Sequence, residues 1–131
     1  MKTAIIGSRN IVDSFKIKEI LNTYTITVVV SGGAKGVDSI AENYAIERTI
    51  PTVIFKPDWK QFGRSAGIIR NKDIVNEADR VIAFWDGKSK GTADSIKYAL
   101  KEQKIVDVWF VENDVYTLIN IGCDIQKLLK V

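Results

Sequence analysis

The sequence predicts a three-layer, Rossmann-like α/β fold: a mostly parallel sheet of about five strands with helices on both faces. Three observations predict it. Short β-branched runs alternate with helically spaced segments about every 20–25 residues, the rhythm of βαβ units. The run Val28-Val29-Val30 is apolar at every position, as a parallel strand covered on both faces requires. Glycine-rich stretches follow the strands and open helices, placing flexible backbone at one edge of the sheet.

In order along the chain, a first strand covers 3–6 and ends at Gly7-Ser8-Arg9. Asp13 is positioned to cap a helix whose apolar face is Ile17, Ile20 and Leu21. A second strand, 25–30, runs into Ser31-Gly32-Gly33-Ala34-Lys35-Gly36. From there Val37, Ile40, Ala41, Tyr44 and Ala45 recur at helical spacing to about Arg48. Pro51 introduces a strand over 52–55, which Lys56-Pro57-Asp58 breaks, opening an irregular segment through Trp59, Phe62, Gly63 and Arg64. A helix over 66–78 follows, with Ile68, Val75 and Ala78 on its buried face. A strand at 80–85, the polar loop Asp86 to Thr92, and a helix burying Ala93, Ile96, Ala99 and Leu100 come next. The last strand is 105–111, and the tail, 112–131, is expected to add helical turns that pack on the domain or on a second copy. No repeat, low-complexity segment or linker interrupts the pattern, so 1–131 reads as a single domain.

Composition narrows the function classes. At 131 residues and 46% hydrophobic, the chain can bury a core. Lys and Arg total 19 against 16 Asp and Glu, a net charge of +3. That value, with no extended basic stripe, argues against a nucleic-acid partner. The absence of histidine removes the commonest general base and zinc ligand, and no metal site is expected. The one cysteine, Cys123, excludes an internal disulfide, suits a reducing compartment, and reads as a small, buried hydrophobe. The apolar run at Met1–Gly7 is too short for a signal peptide, and no stretch approaches the ~20 apolar residues of a membrane span. A cytoplasmic location without membrane contact is expected.

The strand ends carry the functional signal. In a doubly wound sheet the loops after the strands gather at the carboxyl edge, where ligands bind. Three of them here are glycine-rich: Gly7-Ser8-Arg9, Ser31 to Gly36, and Asp86 to Thr92. A helix that opens at such a loop directs free N–H groups and partial positive charge outward, which favours an anion and most often a phosphate. The loops do not fit the common nucleotide signatures. Gly87-Lys88-Ser89 has Ile82 where the first glycine of a P-loop belongs. Gly33 and Gly36 fit half of a dinucleotide fingerprint, but Ser31 replaces its first glycine and no acidic residue follows at the required distance. Ordinary NAD dehydrogenase chemistry is therefore disfavoured.

The basic residues Arg9, Lys35, Arg64, Arg70, Lys88 and Lys90 lie in or near these loops. Lys88 and Lys90 read as solvated. Arg70, in an otherwise apolar stretch of helix, calls for a ligand or a buried carboxylate. Trp59, Phe62 and Trp85 are candidates for stacking on a base, Trp59 the better placed and Trp85 equally a core residue. Asp38, Asp58 and Asp86 are candidates for ribose hydroxyls, with Asp38 equally able to complement a helix dipole.

Five motifs in order then resemble the YspA-like branch of the SLOG superfamily. They are Gly7-Ser8-Arg9; Ser31-Gly32-Gly33-Ala34-Lys35-Gly36-Val37-Asp38 with Ala41-Glu42; Pro57-Asp58-Trp59; Ala66-Gly67-Ile68-Ile69-Arg70-Asn71; and Ala83-Phe84-Trp85-Asp86-Gly87 with Ser89 and Gly91-Thr92. The superfamily also contains Smf/DprA proteins and the lonely-guy phosphoribohydrolases. The resemblance implies a Rossmann-like domain binding a nucleotide or nucleotide-derived ligand through these motif residues. The phosphoribohydrolases pair an arginine with a glutamate three residues past Gly-Thr. Arg70 resembles that arginine, but the residue three past Thr92 is Ser95, and Asp94 is the nearest acid. No catalytic residue therefore stands out, and Arg70 and Asp94 are the nearest candidates.

Three functions follow in order of preference. The first is a sensor or sequestering module for a small phosphorylated nucleotide of ADP-ribose or NAD type, with no cofactor assigned beyond that nucleotide-type ligand and homo-oligomerisation expected. The second is an N-glycosidase or phosphoribohydrolase-like enzyme. The third is a DprA-like single-strand binder.

Overall fold

A computed structural model describes residues 1–119. They form the expected α/β architecture, built on one six-stranded sheet. The elements are β1 (Lys2–Gly7), α1 (Ser14–Leu21), β2 (Val28–Ser31), α2 (Val37–Glu47), β3 (Thr52–Ile54), α3 (Trp59–Phe62), a 3₁₀ turn (Gly63–Ser65), α4 (Ala66–Glu77), β4 (Arg80–Trp85), α5 (Lys90–Lys101), β5 (Ile105–Glu112) and β6 (Val115–Ile119). The strand order is β3-β2-β1-β4-β5-β6, parallel throughout except for β6. The order reverses between β1 and β4, which pair from Thr3↔Arg80 to Gly7↔Phe84. A crevice at the carboxyl ends of these strands is a topological switch point.

Strand parity divides the core into two layers. Ala4 and Ile6 of β1, with Val81, Ala83 and Trp85 of β4, pack under α4 and α5 against Ile74, Val75, Ile96 and Ala99. Ile5, Ile82 and Phe84 point the other way, to Ile17, Leu21, Val37 and Ile40 of α1 and α2. Each fully buried side chain of this size contributes about 1.5–3 kcal/mol. Helix α1 starts as its sequence demands, with the Asp13 carboxylate accepting from Lys16 N–H at 3.0 Å.

Three expectations are corrected. Ile68 is exposed, because α4 turns Ala66, Ile74 and Val75 to the sheet and Ile68 falls off that face. The segment 25–27 precedes β2, which begins at Val28. The tail expected to be helical begins instead as a β-hairpin. Asn113 and Asp114 both take positive φ (51° and 63°) between the paired residues Glu112 and Val115. That is the two-residue turn whose twist matches an antiparallel pair. Tyr116 of β6 then meets Phe84 edge-on at 6.2 Å. Residues 120–131, Cys123 and the rest of the expected helical tail among them, lie outside the described residues.

The two edges of the sheet differ. At the amino edge, side chains close the surface: the Arg80 guanidinium lies 5.0 Å from the Tyr24 ring centroid, Tyr24 Oη donates to Asp107 at 2.7 Å, and Trp109 Nε1 donates to Tyr24 Oη at 3.1 Å. Burial, aided by the Asp107 hydrogen bond, pushes the Tyr24 phenol up to about 12. The carboxyl edge is open.

Candidate functional site

At the carboxyl edge a crevice of about 460 Å³ opens over the switch point. All three glycine-rich loops reach it. The tip of β1 supplies Gly7, Ser8 and Arg9, the loop before α2 supplies Ala34, and the start of α5 supplies Ser89, Gly91 and Thr92. Asp38 lines it from the first turn of α2, and Arg70 and Asn71 from α4.

Backbone packing holds the loops together. Ser8 N–H donates to the Phe84 carbonyl at 3.0 Å, and Asp86 N–H donates to Ser8 Oγ at 3.3 Å, tying the ends of β1 and β4. Gly7 is forced: a Cβ there would lie 2.5 Å from Val37 Cγ2 and 2.7 Å from the Phe84 carbonyl oxygen. Helix α2 begins at Gly36, with no side-chain cap on its first-turn N–H groups. Its first turn brings the Asp38 carboxylate to the crevice, on the side that the helix dipole favours for negative charge.

Arg70 is half-buried. Its Nη1 donates to the Gly32 carbonyl at 2.7 Å and its Nε to Asn71 Oδ1 at 2.8 Å, which fixes the guanidinium on the crevice wall. The Asp38 carboxylate stands near it, both groups packing over Gly32, without a salt bridge. Among the described residues, neither Arg9 nor Arg70 has a carboxylate within 4.0 Å. Burial lowers the Arg70 pKa, Asp38 opposes that shift, and Arg9 adds to it.

Asp38 is the carboxylate inside the crevice, 8% exposed, and Oδ2 accepts from Ala34 N–H at 3.1 Å. Burial raises its pKa above the ordinary carboxylate value, against the Ala34 hydrogen bond and the Arg70 charge. The folded state therefore holds this proton more tightly than the unfolded chain. The resulting stability is fully present below the unfolded value of about 3.9 and is lost as pH rises through the folded value. Asp38→Asn keeps an acceptor for Ala34 and removes the buried charge. It is expected to melt several degrees above the parent at neutral pH, with the gain shrinking towards pH 4. Thermal melts across this range check it, and a difference independent of pH contradicts it.

Asp86 stands apart from the crevice lining and organises the third loop. Burial opposes its ionisation, but hydrogen bonds from the Ser89 and Lys88 N–H groups, both 2.9 Å, and from Ser8 and Asn10 hold its pKa below the ordinary value. Gly87 turns that loop at positive φ. Ser89 Oγ accepts from Thr92 N–H, capping α5.

Other predicted residues do not line the crevice. Ser31 is buried with Oγ donating to Glu42, and Gly32 packs beneath Arg70 and Asp38. Gly33 faces Ile54 and Lys56, while Gly36 presses on the Arg9 backbone. Lys35 and Arg64 are exposed. Asp58 caps α3 by accepting from Gln61 N–H at 3.1 Å, and Trp59 is exposed on that helix. Trp85 is a core residue whose Nε1 donates to the Ser89 carbonyl. Asp94 is exposed and lies in an adjoining hollow of about 60 Å³ with Lys72 and Tyr98. The hollow shares Asn71, Gly91 and Ser95 with the crevice, while Asp94 itself does not line the crevice with Arg70. One helical position turns a side chain by about 100°, and it is Ser95 that faces the crevice. Ser95, Asn10 and the apolar floor of Ile6 and Ile74 complete the lining. Of these, Asn10 had a local signal, its place directly after Gly7-Ser8-Arg9.

Among the described residues, no group of three or more His, Cys, Asp or Glu side chains is placed to hold a metal ion. No helix among them is long and apolar enough to cross a membrane.

The fold and the switch-point crevice define a Rossmann-type α/β protein. Residues 1–62 match the model of the YspA, cpYpsA-related SLOG family, so the resemblance carried by the loop motifs is borne out over that segment. The Gene 61 protein of Mycobacterium phage D29 is 36% identical over 80 residues, 56% of this chain and 64% of that protein. The match thus spans less than two thirds of that relative's length. Two solved structures share the fold. DNA processing protein A (DprA) from Streptococcus pneumoniae superposes with a TM-score of 0.69 at 18% identity, covering 98% of this chain and 54% of that one. DNA processing protein A from Helicobacter pylori, described for its unique single-stranded DNA binding mode, gives 0.68 at 22% identity, covering 99% and 79%. The likeness to these DNA processing proteins, one of them described for binding single-stranded DNA, overturns the expectation that a nucleic-acid partner is unlikely. Net charge averages the whole surface, whereas strand binding depends on where a few cations sit.

Proposed function

We infer that the crevice binds a small phosphorylated nucleotide derivative of ADP-ribose or NAD type, as a cytoplasmic sensor or sequestering module. The observation that carries this reading is the pair of guanidinium groups, Arg9 and Arg70, both lining the crevice and neither in a salt bridge among the described residues, although Asp38 lines it too. The same lining carries the hydroxyls of Ser8, Ser89 and Thr92. A volume of about 460 Å³ falls within the range of small-ligand sites, about 300–1,000 Å³. Ser95 in place of a glutamate supports retention of the ligand over its cleavage. Calorimetry against AMP, ADP, ADP-ribose and NAD tests the reading. Micromolar binding of at least one, recovered intact by chromatography, is expected. No binding tighter than millimolar in a folded sample overturns it.

A second reading, single-strand binding at the same edge, is favoured by the two DprA neighbours. It requires an affinity for oligothymidylate that falls steeply as salt rises.

A further inference from the structure

We propose that Trp59 is the base platform of this crevice: the ligand's nucleobase stacks on the indole while its phosphate lies against Arg9 and Arg70. The proposal rests on the reading of the crevice as a phosphate site and specifies the ligand class. An aromatic base is required, and a sugar phosphate alone leaves the platform bare.

Trp59 is 57% exposed, whereas Trp85 is 3% exposed and Trp109 is half-buried with its Nε1 bonded to Tyr24. It belongs to neither core layer. Asp58 fixes its backbone by capping α3, and Gly63, at φ 56°, ends that helix. The Cη2 edge of the indole lies 3.8 Å from where a Cβ on Gly67 would stand, so the ring rests on the first turn of α4. Gly67, Arg70, Asn71 and Ile74 fall at i, i+3, i+4 and i+7, on one helix face, and the last three line the crevice. The indole therefore sits outside the crevice lining, against the turn of α4 that precedes Arg70, whose backbone lies about 4.5 Å further along the helix axis than that of Gly67. A base and its phosphate are joined through one ribose, so a nucleotide whose phosphate meets Arg70 carries its base towards the neighbouring turn. Stacking on an indole tolerates any base, because every base has a π-face.

Calorimetry with AMP and ribose 5-phosphate on the full chain, the parent beside Trp59→Ala and Trp59→Phe, tests the proposal. The parent is expected to bind AMP more tightly than ribose 5-phosphate. Trp59→Ala is expected to weaken AMP by about 5- to 100-fold and leave ribose 5-phosphate unchanged, with Trp59→Phe retaining most of the affinity. In the parent, AMP is expected to shield tryptophan fluorescence from acrylamide, a readout independent of how the variants fold. Equal affinity of the parent for both ligands, or AMP binding indifferent to Trp59, overturns the platform and leaves the phosphate site standing. So does a patch that serves a protein partner, since AMP then gives no shielding. Failure of both ligands to bind overturns the crevice reading and the platform together. Trp59-dependent binding of oligothymidylate without AMP binding overturns the assignment to a free nucleotide.

Discussion

Gly36→Ala is expected to remove about 2–6 kcal/mol of stability, the sum of two separate effects. Gly36 holds φ 75° and ψ −125°, a conformation closed to residues with a Cβ at a cost of about 1–3 kcal/mol. The added Cβ would also lie 2.5 Å from the Arg9 carbonyl oxygen and 2.9 Å from its carbonyl carbon. Those are backbone atoms, so relief requires the tip of β1 to move away from α2, and overpacking of this kind costs about 1–3 kcal/mol. Urea denaturation measures the loss, and a change below about 1 kcal/mol contradicts the tight backbone junction. The same displacement separates Arg9 from Asp38, so a folded remnant is expected to bind phosphorylated ligands poorly.

Arg70→Ala is expected to weaken binding of AMP by about tenfold to a hundredfold, the loss of charge-assisted hydrogen bonds worth about 1.5–3 kcal/mol. The guanidinium is held in place by the Gly32 carbonyl and Asn71, with Nη2 unbonded among the described residues. Arg70→Lys keeps the charge but loses the planar fork, and is expected to recover only part of the affinity. Truncation also leaves the Gly32 carbonyl unpaired, so the titrations are run well below each variant's melting temperature. Unchanged affinity in Arg70→Ala contradicts the assignment of this wall to the phosphate.

Much of the fold was legible because local patterns agreed with the tertiary answer. β4 was found from Arg80 to Trp85, and Asp13 announced α1, because burial on both faces and capping are written into adjacent residues. The sixth strand was missed because an apolar tail carries no obvious period. The Asn113-Asp114 pair, able to take positive φ twice, was the available signal. Ile68 was misassigned because an apolar residue at helical spacing reads as core, whereas packing turns Ala66, Ile74 and Val75 to the sheet and leaves Ile68 outside.

The three loops of the site were visible as glycine and hydroxyl clusters, since each must let backbone approach closely. How they divide was not visible. Gly36 and Gly32 serve the scaffold and not the cavity, a distinction that depends on the Arg9 and Arg70 contacts from distant parts of the chain. Asp94 and Ser95 are neighbours in sequence, and only the rotation of α5 selects the second. Net charge misled for the same reason: it carries no positions.

The most direct test is an amide chemical-shift titration of the ¹⁵N-labelled chain with AMP. The amides of Ser8, Arg9, Ala34, Asp38, Asn71 and Thr92 are expected to shift together and saturate along one binding curve. Shifts confined to the closed edge around Tyr24 and Asp107, or none that saturate by millimolar ligand, would contradict a phosphate site at the switch point.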